Sequence, residues 1–247
     1  MSVKGKNTIK ELLSSNSYPG RGIIVGKSRD GKKAMIAYFI MGRSENSRNR
    51  IFQRFEGGMR TKAFDESKLT DPSLIIYNPY LSAFEGNVDI VTNGDQTNTI
   101  YDFMNETPED EFAFEKALLT REFEPDAPNF TPRISSALYY NFVEESFTYK
   151  MSILKSSDGN PEVCNRYTYN FTPMAGLGHF IHTYECDGNP IPSFYGEPEV
   201  VELPDNAEDF AEEVWTNLNA DNKVSLLVRC VPLDGSPAEE IIINKNV

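Results

Sequence analysis

At 247 residues, 39% hydrophobic and 25% charged, the chain has the length of one large domain or two small ones and the composition of a globular protein with a real core. Its 24 Lys+Arg stand against 37 Asp+Glu, and a net charge of −13 argues against general nucleic-acid binding, which needs a basic footprint. No apolar run approaches the about 20 residues of a membrane span, no signal peptide is visible behind the polar residues 1–10, and three scattered cysteines (Cys164, Cys186 and Cys230) without a CxxC fit free thiols in a reducing cytoplasm.

Residues 8–15 suit a short helix or a docking arm, and residues 1–17 read as an N-terminal arm on a single domain. Tyr18-Pro19-Gly20-Arg21-Gly22 reads as a tight turn leading into a strand over 23–26. A hairpin turn at 29–32 returns the chain as a strand over 34–41, so the two ends of that hairpin, Arg21 and Arg43, are expected side by side. An extended run over 48–50 would put Arg48 and Arg50 on one face and Asn49 on the other. Residues 74–77 and 88–92 read as strands, 93–95 as a turn, and 96–105 as the start of a helix. Pro108 and the acids after it suit a helix start at 107–110, running to about Arg121. Pro125, Pro128 and Pro132 force an extended loop over 122–132. A Tyr- and Phe-rich hairpin over 135–143 and 147–154 follows, then strands over 167–171 and 179–184. Ala207, Phe210, Ala211, Val214, Trp215 and Leu218 follow the helical apolar period, with Asp205 or Asn206 as cap. Strands over 224–231 and 241–243 close the chain around Asp234-Gly235. Hairpins with a few long helices indicate an α+β fold with antiparallel sheets and helices on their outer faces.

Residues 42–50, Gly-Arg-Ser-Glu-Asn-Ser-Arg-Asn-Arg, crowd Arg43, Arg48 and Arg50 into an acidic chain. Guanidinium forks match phosphate oxygens bidentately, so the cluster reads as a small-anion site; the alternative is a solvated loop paired with Glu45 and Glu56. The glycines of residues 18–22 would let backbone N–H groups approach such an anion. In Asn93-Gly94-Asp95, a plain hairpin turn competes with a substrate-facing turn whose Asn93 and Asp95 bond a purine-like amide or a ribose. The stiff 122–132 loop carries Glu122, Glu124 and Asp126; it is either an acidic surface loop or the bearer of a general acid or base with a raised pKa. His179-x-x-His182 with Cys186 nearby invites a zinc reading, but on a strand the two histidines point to opposite faces, and core packing for one with a polar contact for the other is the simpler role.

Taken in order, residues 18–22, 42–50, Val91-Thr92-Asn93-Gly94-Asp95 and Thr131-Pro132-Arg133-Ile134 resemble the archaeal-type inosine monophosphate (IMP) cyclohydrolase family, over about the first 140 residues. The resemblance implies a four-layer αββα sandwich like that of the N-terminal nucleophile hydrolases, used without an N-terminal nucleophile. It implies ring closure of 5-formamidoimidazole-4-carboxamide ribonucleotide to IMP, a purine nucleotide substrate, no cofactor and no metal. Arg43, Arg48 and Arg50 are then expected to anchor the phosphate, and Arg21 to stabilise the oxyanion or orient the substrate. Asn93 and Asp95 would hold the base or ribose, Glu124 would transfer protons with Asp126 as its substitute, and Arg133 would brace that loop or meet the phosphate. Tyr18, Gly20, Asn49, Gly94 and Thr131 complete the expected contact set. Two other readings stay open: an amidohydrolase with an N-terminal nucleophile, for which Ser2 is badly placed, and a purine-nucleotide-binding module without catalysis. The aromatic strands of 135–154 fit either a homo-oligomer interface or a domain core.

Overall fold

The computed structural model describes residues 6–70, 72, 75–157 and 159–247. Two antiparallel sheets face each other among these residues. The six-stranded sheet runs, edge to edge, β11 (Glu199–Glu202), β10 (Leu177–His182), β1 (Arg21–Lys27), β2 (Lys33–Met41), β12 (Lys223–Pro232) and β13 (Glu239–Asn244). The seven-stranded sheet runs β3 (Arg50–Phe55), β4 (Gly58–Ala63), β5 (Tyr80–Ala83), β6 (Val88–Thr92), β7 (Arg133–Asn141), β8 (Ser146–Ser157) and β9 (Asn160–Phe171).

The near-continuous apolar run of β2 marks a strand covered on both faces. Ile36, Tyr38 and Ile40 point into the space between the sheets, where they meet Phe52, Tyr80, Val91, Ile134, Leu138 and Met151. Met35, Ala37, Phe39 and Met41 point outward to α1 (Ile9–Ser15) and α5 (Ala207–Asn217), through Ile9, Leu13, Phe210 and Val214. On the far side, α3 (Gln96–Glu106) and α4 (Ala113–Leu118) cover Ile90, Ala137 and Leu154. The result is the expected α+β sandwich, helix–sheet–sheet–helix. Each fully buried Ile, Leu or Phe in these layers contributes about 1.5–3 kcal/mol relative to exposure. No helix among the described residues is long and apolar enough to cross a membrane.

Local chemistry sets the boundaries. Thr8 and Glu11 close a reciprocal capping box on α1, and the Asn206 side chain accepts from the Asp209 N–H to start α5. Four expectations are corrected. Residues 48–50 are not extended: the Ser44 hydroxyl accepts from the Ser47 N–H and starts a one-turn helix, α2 (Glu45–Arg48), which ends before Arg50 opens β3. The second acidic helix starts later than 107: Thr107 is spent capping α3, donating N–H and hydroxyl to the Phe103 carbonyl, and Asp110 then accepts from the Phe112 N–H just ahead of α4. Residues 75–77 belong to no strand; Tyr77 is pinned by its N–H to the Thr61 hydroxyl (2.9 Å), and Leu74 lies outside the described residues. Residues 18–20 form an irregular lead-in rather than a closed turn, with Gly20 at φ +78°. Ser2 also lies outside the described residues.

Candidate functional site

The start of β1 pairs with the end of β2 and with the end of β10 (Arg21 opposite Ile40, Gly22 opposite His182), and the end of β6 pairs with the start of β7 (Thr92 opposite Ser135). These ends lie together at one end of the sandwich, where Arg21, Arg50, Glu124 and Arg133 gather.

Arg50 is fully buried. Its Nε donates to the Ser47 carbonyl at 2.8 Å, while Nη1 and Nη2 find no hydrogen-bond partner among the described residues. Arg21, on β1, likewise has a buried Nε without a partner. Four tyrosines, Tyr184, Tyr18, Tyr77 and Tyr38, surround Arg21, and three of them also face Arg50. Tyr38 and Tyr77 join hydroxyls at 2.7 Å in the buried interior, and burial raises the Tyr38 pKa well above its ordinary value. Burial pulls the Arg50 pKa down, and the positive charge of Arg21 adds to that pull. No carboxylate among the described residues pairs with Arg50, so these two neighbouring guanidinium groups have the chemistry to hold an anion.

Beside them lies a second constellation. Arg133 Nη1 donates to Asp95 (2.6 Å) and to the Gln96 side-chain carbonyl (2.6 Å), and Arg133 lies 3.0 Å from Glu124 Oε1; its Nε is buried without a partner among the described residues. Glu124 is 6% exposed, and its pKa is raised: burial pushes it up, Arg133 and Arg21 pull it down, and the charges of Asp95 and Asp126 push it up again. Burial also pushes Asp95 up, but Arg133 and Arg121 outweigh it and hold its carboxyl below the usual range. Gly94 is required by close approach: a Cβ there would stand 2.5 Å from Gln96 Oε1, 2.6 Å from Arg133 Nη1 and 2.9 Å from Glu124 Oε1. Asn93 spends its amide inside the protein, accepting from the Ile134 N–H and from Gln96 and donating to the Pro132 carbonyl.

The 122–132 loop places the carboxylates. Phe130, at φ +43°, turns the chain so that the Glu124 N–H reaches the Thr131 carbonyl at 2.9 Å, and its ring packs edge-on against Phe123. Asp126 accepts from the Thr131 N–H (2.6 Å) and hydroxyl (2.5 Å), and the Thr131 hydroxyl also meets the Tyr184 hydroxyl at 2.5 Å. Tyr184 stacks on Tyr18, 5.8 Å between centroids. Gly20 is the second glycine with a physical demand: besides its positive φ, a Cβ would lie 2.2 Å from Thr183 Oγ1 and 2.5 Å from the Tyr184 ring.

Of the arginine segment, only Arg50 points inward. Arg43 lies over the Tyr18 ring, donates to the Gly188 carbonyl and pairs with Asp187. Arg48 is exposed and bonds the Gly42 carbonyl and Asn222. Asn49 bonds the backbone of Asp65 in both directions. Arg21, Arg50, Glu124 and Arg133 are thus brought together, with Tyr18, Gly94, Asp95, Asp126 and Thr131 around them. Sequence reasoning missed Tyr38, Tyr77, Tyr184 and Gln96. The one usable signal was Tyr38, a polar-tipped ring inside an otherwise apolar central strand. His179 and His182 face opposite layers as strand parity requires: His179 stacks on Phe171, and His182 bonds the Tyr184 carbonyl and Glu199.

The profile of a family described as IMP cyclohydrolase-like protein matches residues 18–235. A search of curated proteins finds no match to the chain.

Proposed function

Because the chain belongs to the IMP cyclohydrolase-like family, we propose that it closes 5-formamidoimidazole-4-carboxamide ribonucleotide to IMP with loss of water. The observation that carries this reading is the fully buried Arg50 guanidinium and the buried Nε of the half-buried Arg21, with unspent N–H donors beside a buried Glu124 of raised pKa. A phosphomonoester dianion supplies the charge that Arg50 lacks, and its oxygens match the two free Nη groups. The reaction joins two groups of one molecule, so holding the carboxamide nitrogen against the formyl carbon supplies much of the rate. Arg21 Nε is the donor for the negative charge that develops on the formyl oxygen. Glu124, whose pKa burial raises, is the group assigned to give that oxygen a proton, and Arg133 fixes the direction of its carboxyl group. Asn93 braces the 132–134 backbone under Arg133 through the bonds given above, and Arg43 and Arg48 serve the surface around the site. The amidohydrolase alternative needs a Ser, Thr or Cys at the start of the first strand, and that position is Arg21.

The test is direct. Chelator-treated protein is incubated with the formamido ribonucleotide, and IMP formation is followed by absorbance, with Arg21→Ala and Glu124→Gln beside the wild type. Turnover in the wild type that collapses in both variants supports the reading. IMP binding without turnover would replace it with a binding module, and absence of both would remove the substrate assignment.

A further inference from the structure

We infer that Tyr184, Thr131 and Asp126 form a hydroxyl relay that carries the proton leaving the attacking nitrogen out to a solvent-touching carboxylate. The inference rests on the reading above. It assigns the base of the reaction, whereas Glu124 is the acid.

The geometry is a short unbranched chain. Tyr184 is 2% exposed, Thr131 is 2% exposed, and Asp126 is half-buried, so the chain runs from the interior to the surface. Each of its two links is 2.5 Å, Tyr184 hydroxyl to Thr131 Oγ1 and Thr131 Oγ1 to Asp126 Oδ2. Its direction follows from donor inventory. A carboxylate accepts only, so the single Thr131 proton goes to Asp126, and Thr131 Oγ1 then accepts the Tyr184 proton. The free lone pairs of the Tyr184 oxygen are left to accept a proton from something else. That oxygen belongs to the tyrosine group surrounding Arg21, and the ring is fixed by stacking on Tyr18 and by the Tyr184 N–H to the Pro19 carbonyl. Asp126 Oδ1 is held separately by the Thr131 N–H at 2.6 Å, so the carboxylate is oriented without spending Oδ2.

The step balances. As the carboxamide nitrogen bonds the formyl carbon, one of its protons passes to the Tyr184 oxygen. The Tyr184 proton passes to Thr131, and the Thr131 proton passes to Asp126. The electron pair of the formyl C=O moves onto oxygen, which takes the Glu124 proton. Dehydration expels that hydroxyl as water with the proton returned along the same chain. The formamido N–H proton goes to the Glu124 carboxylate, so both carboxyl groups finish as they began. The two carboxyl groups do opposite work because their surroundings differ: Glu124 is buried and its pKa is raised, whereas Asp126 reaches solvent.

The test uses the full chain with Thr131→Val, Thr131→Ser, Tyr184→Phe and Asp126→Asn, measuring kcat from pH 5 to 9 in H2O and D2O, and IMP affinity as the control for folding and for the site. General base catalysis is worth about 10²–10⁴ in rate, so Thr131→Val and Tyr184→Phe are expected to lose at least a hundredfold in kcat with IMP affinity little changed. Thr131→Ser, which keeps the hydroxyl, recovers most of that loss. The larger part of the solvent isotope effect disappears in Asp126→Asn. Near-normal kcat in Thr131→Val or Tyr184→Phe would overturn the relay, as would equal losses in the Val and Ser variants, which mark a packing role. A wild type that binds IMP without turnover would overturn the catalytic reading itself, and the relay with it.

Discussion

Glu124 and Arg133 sit 3.0 Å apart at the two ends of the proline-rich loop, yet the carboxyl keeps a raised pKa. The ion pair is outweighed because both groups are almost wholly buried, and desolvation of the carboxylate exceeds what one guanidinium shared with Asp95 and Gln96 returns. The shift is in the direction that the acid role proposed for Glu124 requires.

Stability should follow. A raised folded pKa means that the folded chain binds the Glu124 proton more tightly than the unfolded one. Its contribution is fully present below the ordinary carboxylate range, about pH 4.5, and is lost as pH rises through the folded pKa. Glu124→Gln removes that cost. The variant is expected to be inactive, and its Tm should match the wild type at pH 4 and meet or exceed it at pH 7 to 8. Calorimetry across that range checks it; a Tm lower at pH 8 than at pH 4, relative to wild type, would show that the ion pair wins.

Arg50 carries a larger strain of the same kind. A fully buried guanidinium with two unspent Nη groups is costly to the empty protein. Arg50→Met keeps most of the volume and removes the charge, so the unliganded protein should gain on the order of 1 kcal/mol or more. On the proposed reading the same change also removes two charge-assisted hydrogen bonds to the phosphate, about 3 kcal/mol or more, and is expected to weaken IMP binding by at least about a hundredfold. Thermal shift with and without IMP separates the two effects: a higher Tm alone and no ligand-induced rise. A retained rise would move the phosphate elsewhere.

Gly94 tests the constellation beside it. A methyl group there meets Gln96 Oε1 at 2.5 Å, Arg133 Nη1 at 2.6 Å and Glu124 Oε1 at 2.9 Å, so this cluster must shift to admit it. Gly94→Ala should lower kcat by ten- to a hundredfold, the scale expected when reacting groups are displaced by about an ångström, with a Tm fall of a few degrees. Unchanged kcat would mean that Glu124 and Arg133 can move without consequence, against their assigned roles.

The legible part of this protein was periodic. The near-continuous apolar run of β2, the capped apolar stripe of α5 and the hairpin turns each have a local cause, and they gave the two sheets and their helical layers. The site was legible only as motifs. Asn93-Gly94-Asp95 and Thr131-Pro132-Arg133 meet because β6 and β7 are register partners, which spacing alone does not reveal. The nine residues around Arg43 look like one cluster, but the Ser44 cap winds them into a turn of helix that sends Arg43 and Arg48 outward and Arg50 inward. Tyr77 and Tyr184 were invisible because their places depend on pairings across long stretches of chain, Tyr77 with Thr61 and Tyr184 with Thr131.

His179 gives the last prediction, away from the site. Its ring stacks on Phe171 at 3.6 Å and its Nδ1 meets the Tyr149 hydroxyl at 2.5 Å, between the sheets. Burial lowers its pKa from 6.5 to about 4. The unfolded chain therefore takes up a proton at higher pH than the folded one. The stability this residue gives is intact above about pH 6.5 and is lost as pH falls from there to about 4. His179→Gln cannot take that proton. The variant should be less stable than wild type at pH 7.5, where the stacked ring is lost, and the difference should narrow steadily toward pH 4. A gap that stays constant over that range would mean that the ring accepts a proton in place, with Tyr149 turning to serve as acceptor.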